Sequence, residues 1–73
     1  MPAPSRMTNT LVVEIDEVGE GFVWVMFFGT RIQIRAASRE IECAAVEFLY
    51  REALVTVARD AEGKASVVEV RAS

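Results

Sequence analysis

Trp24, Met26 and Phe28 alternate along one stretch of the chain, and Arg31, Gln33 and Arg35 alternate along the next. Folded back on each other, these stretches interleave large apolar groups with planar cations and an amide. Interface cores are enriched in Trp, Phe, Met and Arg, so the mixture suits contact with a protein, including a second copy of the chain. It also suits single-stranded nucleic acid, with Trp24 and Phe28 stacking bases while Arg31 and Arg35 meet phosphates. A small apolar or anionic ligand is a third occupant. The plainest alternative is Arg35 stacked on Trp24 at the surface, worth about 0.5–1 kcal/mol when exposed.

A second set is Cys43, Val46 and Tyr50. Ile41, Ala44, Ala45, Phe48 and Leu49 follow the i, i+3, i+4, i+7, i+8 spacing of a helix face that buries against a sheet. Cys43, Val46 and Tyr50 then fall on the opposite side, where a solvent-facing stripe is normally polar. The helix is expected to lie between its own sheet and another surface, most simply another subunit, although scattered exposed apolar residues are ordinary in single proteins.

Nucleophilic and metal chemistry find little support. The chain has no histidine and one cysteine, which excludes Cys-His pairs, Ser-His-Asp triads and the common zinc sites within one subunit. Cys43 has no neighbouring cation to lower its pKa and reads as a packing thiol. Glu14, Asp16, Glu17 and Glu20 lack EF-hand spacing and read as a solvated edge that discourages stray strand pairing. Gly19-Glu20-Gly21 lacks the Lys-Ser/Thr pair of a P-loop and the strand-to-helix setting of a dinucleotide fingerprint. No cofactor, metal or enzymatic activity is expected.

These side chains need elements to hold them. Leu11–Ile15 alternates with a period of two and ends in a turn-rich Glu17–Gly21 segment, predicting a first strand. Phe22–Phe28 is apolar throughout, and its aromatic and β-branched content predicts a second. Gly29-Thr30 predicts a type II′ hairpin turn into a third strand, Arg31–Arg35. Ser38 is the expected N-cap of a helix reaching about Arg51, with Glu40 and Glu42 in its first turn. Ala53–Arg59 and Ala65–Arg71 flank Asp60-Ala61-Glu62-Gly63, which has the Asp and Gly positions of a type I turn.

With a Gly29-Thr30 loop, Val23, Val25 and Phe27 face the core with Ala36, Ile34 and Ile32. Trp24, Met26 and Phe28 lie outside, opposite Arg35, Gln33 and Arg31. A slip of one residue would exchange the two apolar sets while keeping a mixed face.

The fold expected is therefore α+β, a small and mostly antiparallel β-β-β-α-β-β domain over residues 10–73, with residues 1–9 as a flexible tail. This order and spacing resemble the OB-fold, a five-stranded partly open barrel with a helix between its third and fourth strands. An SH3-like barrel, or an open sheet packed on the helix, fits nearly the same string.

Composition narrows the partners. A formal charge of −3 argues against a general electrostatic grip on nucleic acid. No apolar run approaches the roughly 20 residues of a transmembrane helix, and the opening residues lack a signal peptide's apolar stretch. A lone cysteine fits a reducing cytoplasm. At 73 residues, 52% of them apolar, the chain must fold on hydrophobic burial alone, and domains this small often add oligomerisation. The expectation is a homo-oligomeric binding or structural module, with an OB-like single-stranded nucleic-acid-binding or small-ligand-binding domain as the alternative.

Overall fold

The strand-rich segments and the single amphipathic one fold in the order the sequence predicts. The computed structural model describes residues 7–73. Its elements are β1 (Met7–Gly19), β2 (Phe22–Phe27), β3 (Thr30–Ala36), α1 (Arg39–Val46), β4 (Glu52–Arg59) and β5 (Ala65–Ala72). The strands form a mixed sheet closed into a ring, β1-β2-β3-β5-β4, so the partly open arrangement expected is replaced by a closed one. Four junctions are antiparallel. The fifth, β3 with β5, is parallel and short, pairing Arg35 with Ser66 and Ala36 with Val67. Of the expected tail, residues 1–6 lie outside the described residues, whereas Met7–Asn9 pair with Arg59–Val57 of β4.

β1 outruns its predicted end because it serves two neighbours. Residues 7–14 pair with β4 and residues 14–19 with β2. Between Ile15 and Glu17 the register shifts by one residue, a bulge that turns the strand from one partner to the other. Leu11, Val13 and Ile15 face inward before it; after it the inward position is Val18, opposite Val23. Acidic residues before a glycine imitate a turn in sequence, yet here they continue the strand.

The β2–β3 hairpin keeps the predicted faces with a different register. Phe27 pairs with Thr30, so the loop is Phe28-Gly29 rather than Gly29-Thr30, and Trp24 lies opposite Gln33, Met26 opposite Arg31 and Phe22 opposite Arg35. The shift is two residues, which preserves the side each residue faces. Phe28 has φ 50° and Gly29 φ 79°. Two positive values are those of a type I′ turn, whose twist matches the flanking strands, and they replace the type II′ turn.

Ser38 caps α1 as expected, its Oγ accepting from the Ile41 N–H at 3.3 Å. The helix stops at Val46, five residues short of Arg51. The fold needs the following backbone elsewhere: the Tyr50 N–H donates to the Ile15 carbonyl at 2.7 Å, and the Ile15 N–H to the Arg51 carbonyl at 3.1 Å. Tyr50 takes φ 64° to turn the chain into β4. Phe48 and Leu49 still pack on the core from this turn, so the apolar spacing marks the buried side correctly beyond the helix itself.

The core lies inside the ring, beneath α1. Its largest fully buried side chains are Ile15, Val23, Val25, Val55 and Val67, supported by Ala36, Ala45 and Ala53. The Asp60–Gly63 turn closes as predicted, with the Gly63 N–H donating to the Asp60 carbonyl at 3.0 Å.

Two predictions concern this frame. The Phe22 ring lies across the backbone of Gly19, its register partner, where an added Cβ would strike ring carbons. Gly19→Ala should therefore push the ring off and weaken its edge-to-face contact with Trp24, 6.3 Å between centroids, lowering stability by about 1 kcal/mol in denaturant titrations. In a Phe22→Ala background the same change should raise stability by roughly 0.5 kcal/mol, since alanine outdoes glycine in a strand. Secondly, hydrogen bonds from the backbone N–H groups of Lys64 and Glu62 hold the Asp60 carboxyl below its ordinary value. Its contribution is present above that ordinary value and fades as pH falls through the lowered one. The stability difference between wild type and Asp60→Ala should therefore be constant near neutrality and shrink in strong acid.

Candidate functional site

A closed ring filled by its own core leaves its outer strand faces, its loops and the short β3–β5 junction for function. On the outside of β1, β2 and β3, register produces three rows: Gly19-Phe22-Arg35, Glu17-Trp24-Gln33 and Glu14-Met26-Arg31. The expected mixture of aromatics and cations is present, with acids from β1 added to it.

Those acids change its chemistry. Arg31 Nε donates to Asp16 Oδ2 at 2.6 Å and its Nη2 to Glu17 Oε1 at 2.9 Å. The hydrogen bond to Asp16, then that to Glu17, raises the guanidinium pKa and binds its charge more firmly. The same guanidinium lies 4.1 Å from the centre of the Trp24 ring. The cation stacked on Trp24 is thus Arg31 rather than Arg35, because the two-residue register shift moves Arg31 towards Met26 and Trp24. Trp24 and Met26 are half-buried, whereas Gln33 and Arg35 are exposed. Asp16 and Glu17, expected as a solvated edge, are the clamp on Arg31.

Phe28 does not join the row. It sits in the β2–β3 turn, 93% exposed, with its ring edge-on to Phe27 at 4.6 Å between centroids. The second set divides similarly: Cys43 and Val46 share the open side of α1, while Tyr50 lies beyond its end, 73% exposed. Val12, which strand alternation places among polar neighbours, is 51% exposed and pairs with Leu54. The β1–β2 pairing begins at Glu14–Met26 and Tyr50 bonds β1 at the Ile15 carbonyl, so Phe28, Val12 and Tyr50 are exposed apolar groups of a turn, a strand and a helix exit. Sequence reasoning did not single out Val12, because an isolated apolar residue at an outward strand position is ordinary.

Among the described residues, no group of three or more His, Cys, Asp or Glu side chains is placed to hold a metal ion, and no helix is long and apolar enough to cross a membrane. What the surface offers is exposed apolar side chains at Val12, Phe28, Val46 and Tyr50 and, on β2, an aromatic covered by a cation that two carboxylates hold.

Removing the clamp should be visible at Trp24, the sole tryptophan. Arg31→Ala should increase acrylamide quenching of its fluorescence with little effect on stability, as expected for exposed ion pairs and cation–π contacts. Unchanged quenching would mean that Arg31 does not cover the indole in solution. Compared with known proteins, the chain matches no protein-family model, no curated protein and no solved structure.

Proposed function

We propose that this chain is an OB-like barrel acting as a homo-oligomeric binding module, self-associating through aromatic side chains that its core does not accommodate. The strand order, the helix between β3 and β4 and the parallel β3–β5 junction support the OB-like alternative over the SH3-like one.

One observation carries the self-association. Phe28 and Tyr50 are the only non-glycine residues with positive φ among the described residues, and they are also the two most exposed large apolar side chains. A left-handed backbone costs an L-residue about 1–2 kcal/mol, and Asn or Gly relieves it. The Phe28 ring meets only Phe27 and the Tyr50 backbone bonds Ile15, and both side chains keep most of their surface in water, so their left-handed backbone is not offset by burial within one chain. Outliers of this kind concentrate where a surface is used. Val12 adds a further exposed apolar side chain, and aromatic residues are enriched among interface hot spots.

The nucleic-acid alternative depends on free cations beside Trp24. Arg31 is held by two carboxylates, which leaves Arg35 as the remaining cation of the pair, so this is the lesser reading.

Light scattering coupled to gel filtration at micromolar concentration should give a mass of a dimer or larger; a clean 8.1 kDa monomer would overturn the proposal. Phe28→Asn separates interface from fold. It should raise monomer stability by about 1 kcal/mol through relief of the left-handed strain, measured at high dilution, while shifting the mass towards monomer. Tyr50→Asn should behave alike. A variant that stays fully associated removes its residue from the interface.

A further inference from the structure

Beyond the aromatic surface, the protein has a pocket that self-association does not explain. It lies where β3 and β5 run parallel for only two residue pairs and then separate, and it has a volume of about 280 Å³. Ala36, Ala37, Ala58 and Val68 form its apolar part. Three are alanines, whose small side chains leave the space open. Val68 is the extra residue of the β4–β5 register shift, which pairs Thr56 with Glu69 but Val57 with Val67. A bulge beside a concavity re-aims the side chains around it.

The remaining lining is polar: Arg35, Arg59, Asp60, Lys64 and Ser66. Three of the protein's eight basic side chains thus meet at one pocket of a chain whose formal charge is −3. They differ in how far they are already engaged. Arg59 donates one Nη1 bond to the Gly63 carbonyl at 3.0 Å, which fixes the guanidinium and leaves its other donors. Lys64 Nζ is a distant 3.9 Å from Glu62 Oε1. The Arg35 guanidinium makes no hydrogen bond or close ion pair among the described residues, its nearest charge influence being on Asp60. Asp60 is the one carboxylate in the lining: its Oδ1 accepts from the Glu62 and Lys64 N–H groups at 2.9 and 3.0 Å, and its charge is felt by Lys64 and Arg35.

We infer that this pocket binds a phosphate group, with Arg35 and Lys64 as its principal cations, Arg59 as a pre-positioned donor and Ser66 as a neutral one. Size and charge both support the assignment. Pockets for drug-sized ligands begin at roughly 300 Å³, so this one suits a mono- or diphosphate rather than a large apolar molecule. Two arginines and a lysine provide forked and point-like donors, the combination that recognises phosphate oxygens. The phosphate can belong to a small phosphorylated molecule or to a nucleic-acid strand, because the chemistry at the pocket is shared.

The test is titration of the 15N-labelled full chain with sodium pyrophosphate at constant ionic strength, with oligo-dT in parallel, following backbone amide shifts. Saturable shifts confined to residues 35–37, 58–60 and 64–68 are expected. Arg35→Gln and Lys64→Gln should each weaken binding about tenfold, as for loss of one charge-assisted contact. Both positions are exposed, and a thermal melt checks that the variants fold. Saturation by pyrophosphate identifies a small phosphorylated ligand. Saturation by oligo-dT alone identifies strand phosphates and still supports the pocket. No saturable shift from either, or affinities unchanged by both substitutions, would overturn the inference.

Discussion

Every strand of a closed ring has two neighbours, and β1 meets its two in succession, changing partner at Glu14 and bulging at Asp16. Much of the surrounding structure follows from that change. Once β1 parts from β4, Ile15 would lack a partner on that side; residues 50 and 51 supply it, which obliges α1 to end early and Tyr50 to take a left-handed turn. In a regular strand, adjacent side chains face opposite sides, so Asp16 and Glu17 could not both reach one arginine. The bulge allows it, and the clamp on Arg31 is a by-product of ring closure.

Ring size then decides what may be buried. The fully buried positions hold β-branched residues and alanine, and none of the six aromatic side chains is fully buried. Aromatic rings usually dominate a core because each removes so much area from water. Here a five-stranded ring capped by an eight-residue helix packs smaller groups, and the aromatics are displaced to the rim and the turns. The excess of apolar residues in the sequence is therefore a surface property of the fold.

The sequence made the element order, the helix stripe, the inward sets Val23/Val25 and Ile34/Ala36 and the Asp60 turn legible, because each depends on local periodicity or turn chemistry. Three features were not legible. A bulge reverses the phase of alternation, so the second half of β1 looked like a turn. Phe28 is a poor turn residue on local preference, so Gly29-Thr30 looked like the loop, although the register shift of two left both faces intact. The helix appeared to reach Arg51 because Phe48 and Leu49 are buried at helical spacing while their backbone serves β1. In each case a long-range pairing overrode a local preference. The same holds for the candidate site: the aromatic-cation face was visible in outline, but its acids and its cationic pocket come from residues far apart in the chain.

Charge is also distributed unevenly. Glu14 stands directly opposite Glu52 across β1 and β4, an arrangement that opposes pairing, two residues along from Val12 and from Tyr50 respectively. Arg35, Arg59 and Lys64 gather at the far side of the ring, around the β3–β5 opening. On the proposed readings, this distribution would steer an anionic ligand towards the pocket, and subunits meeting at the aromatic surface would do so against its acids, through apolar burial rather than charge attraction. Added salt should thus affect the two surfaces in opposite directions, weakening the pocket's hold on phosphate while screening repulsion between subunits.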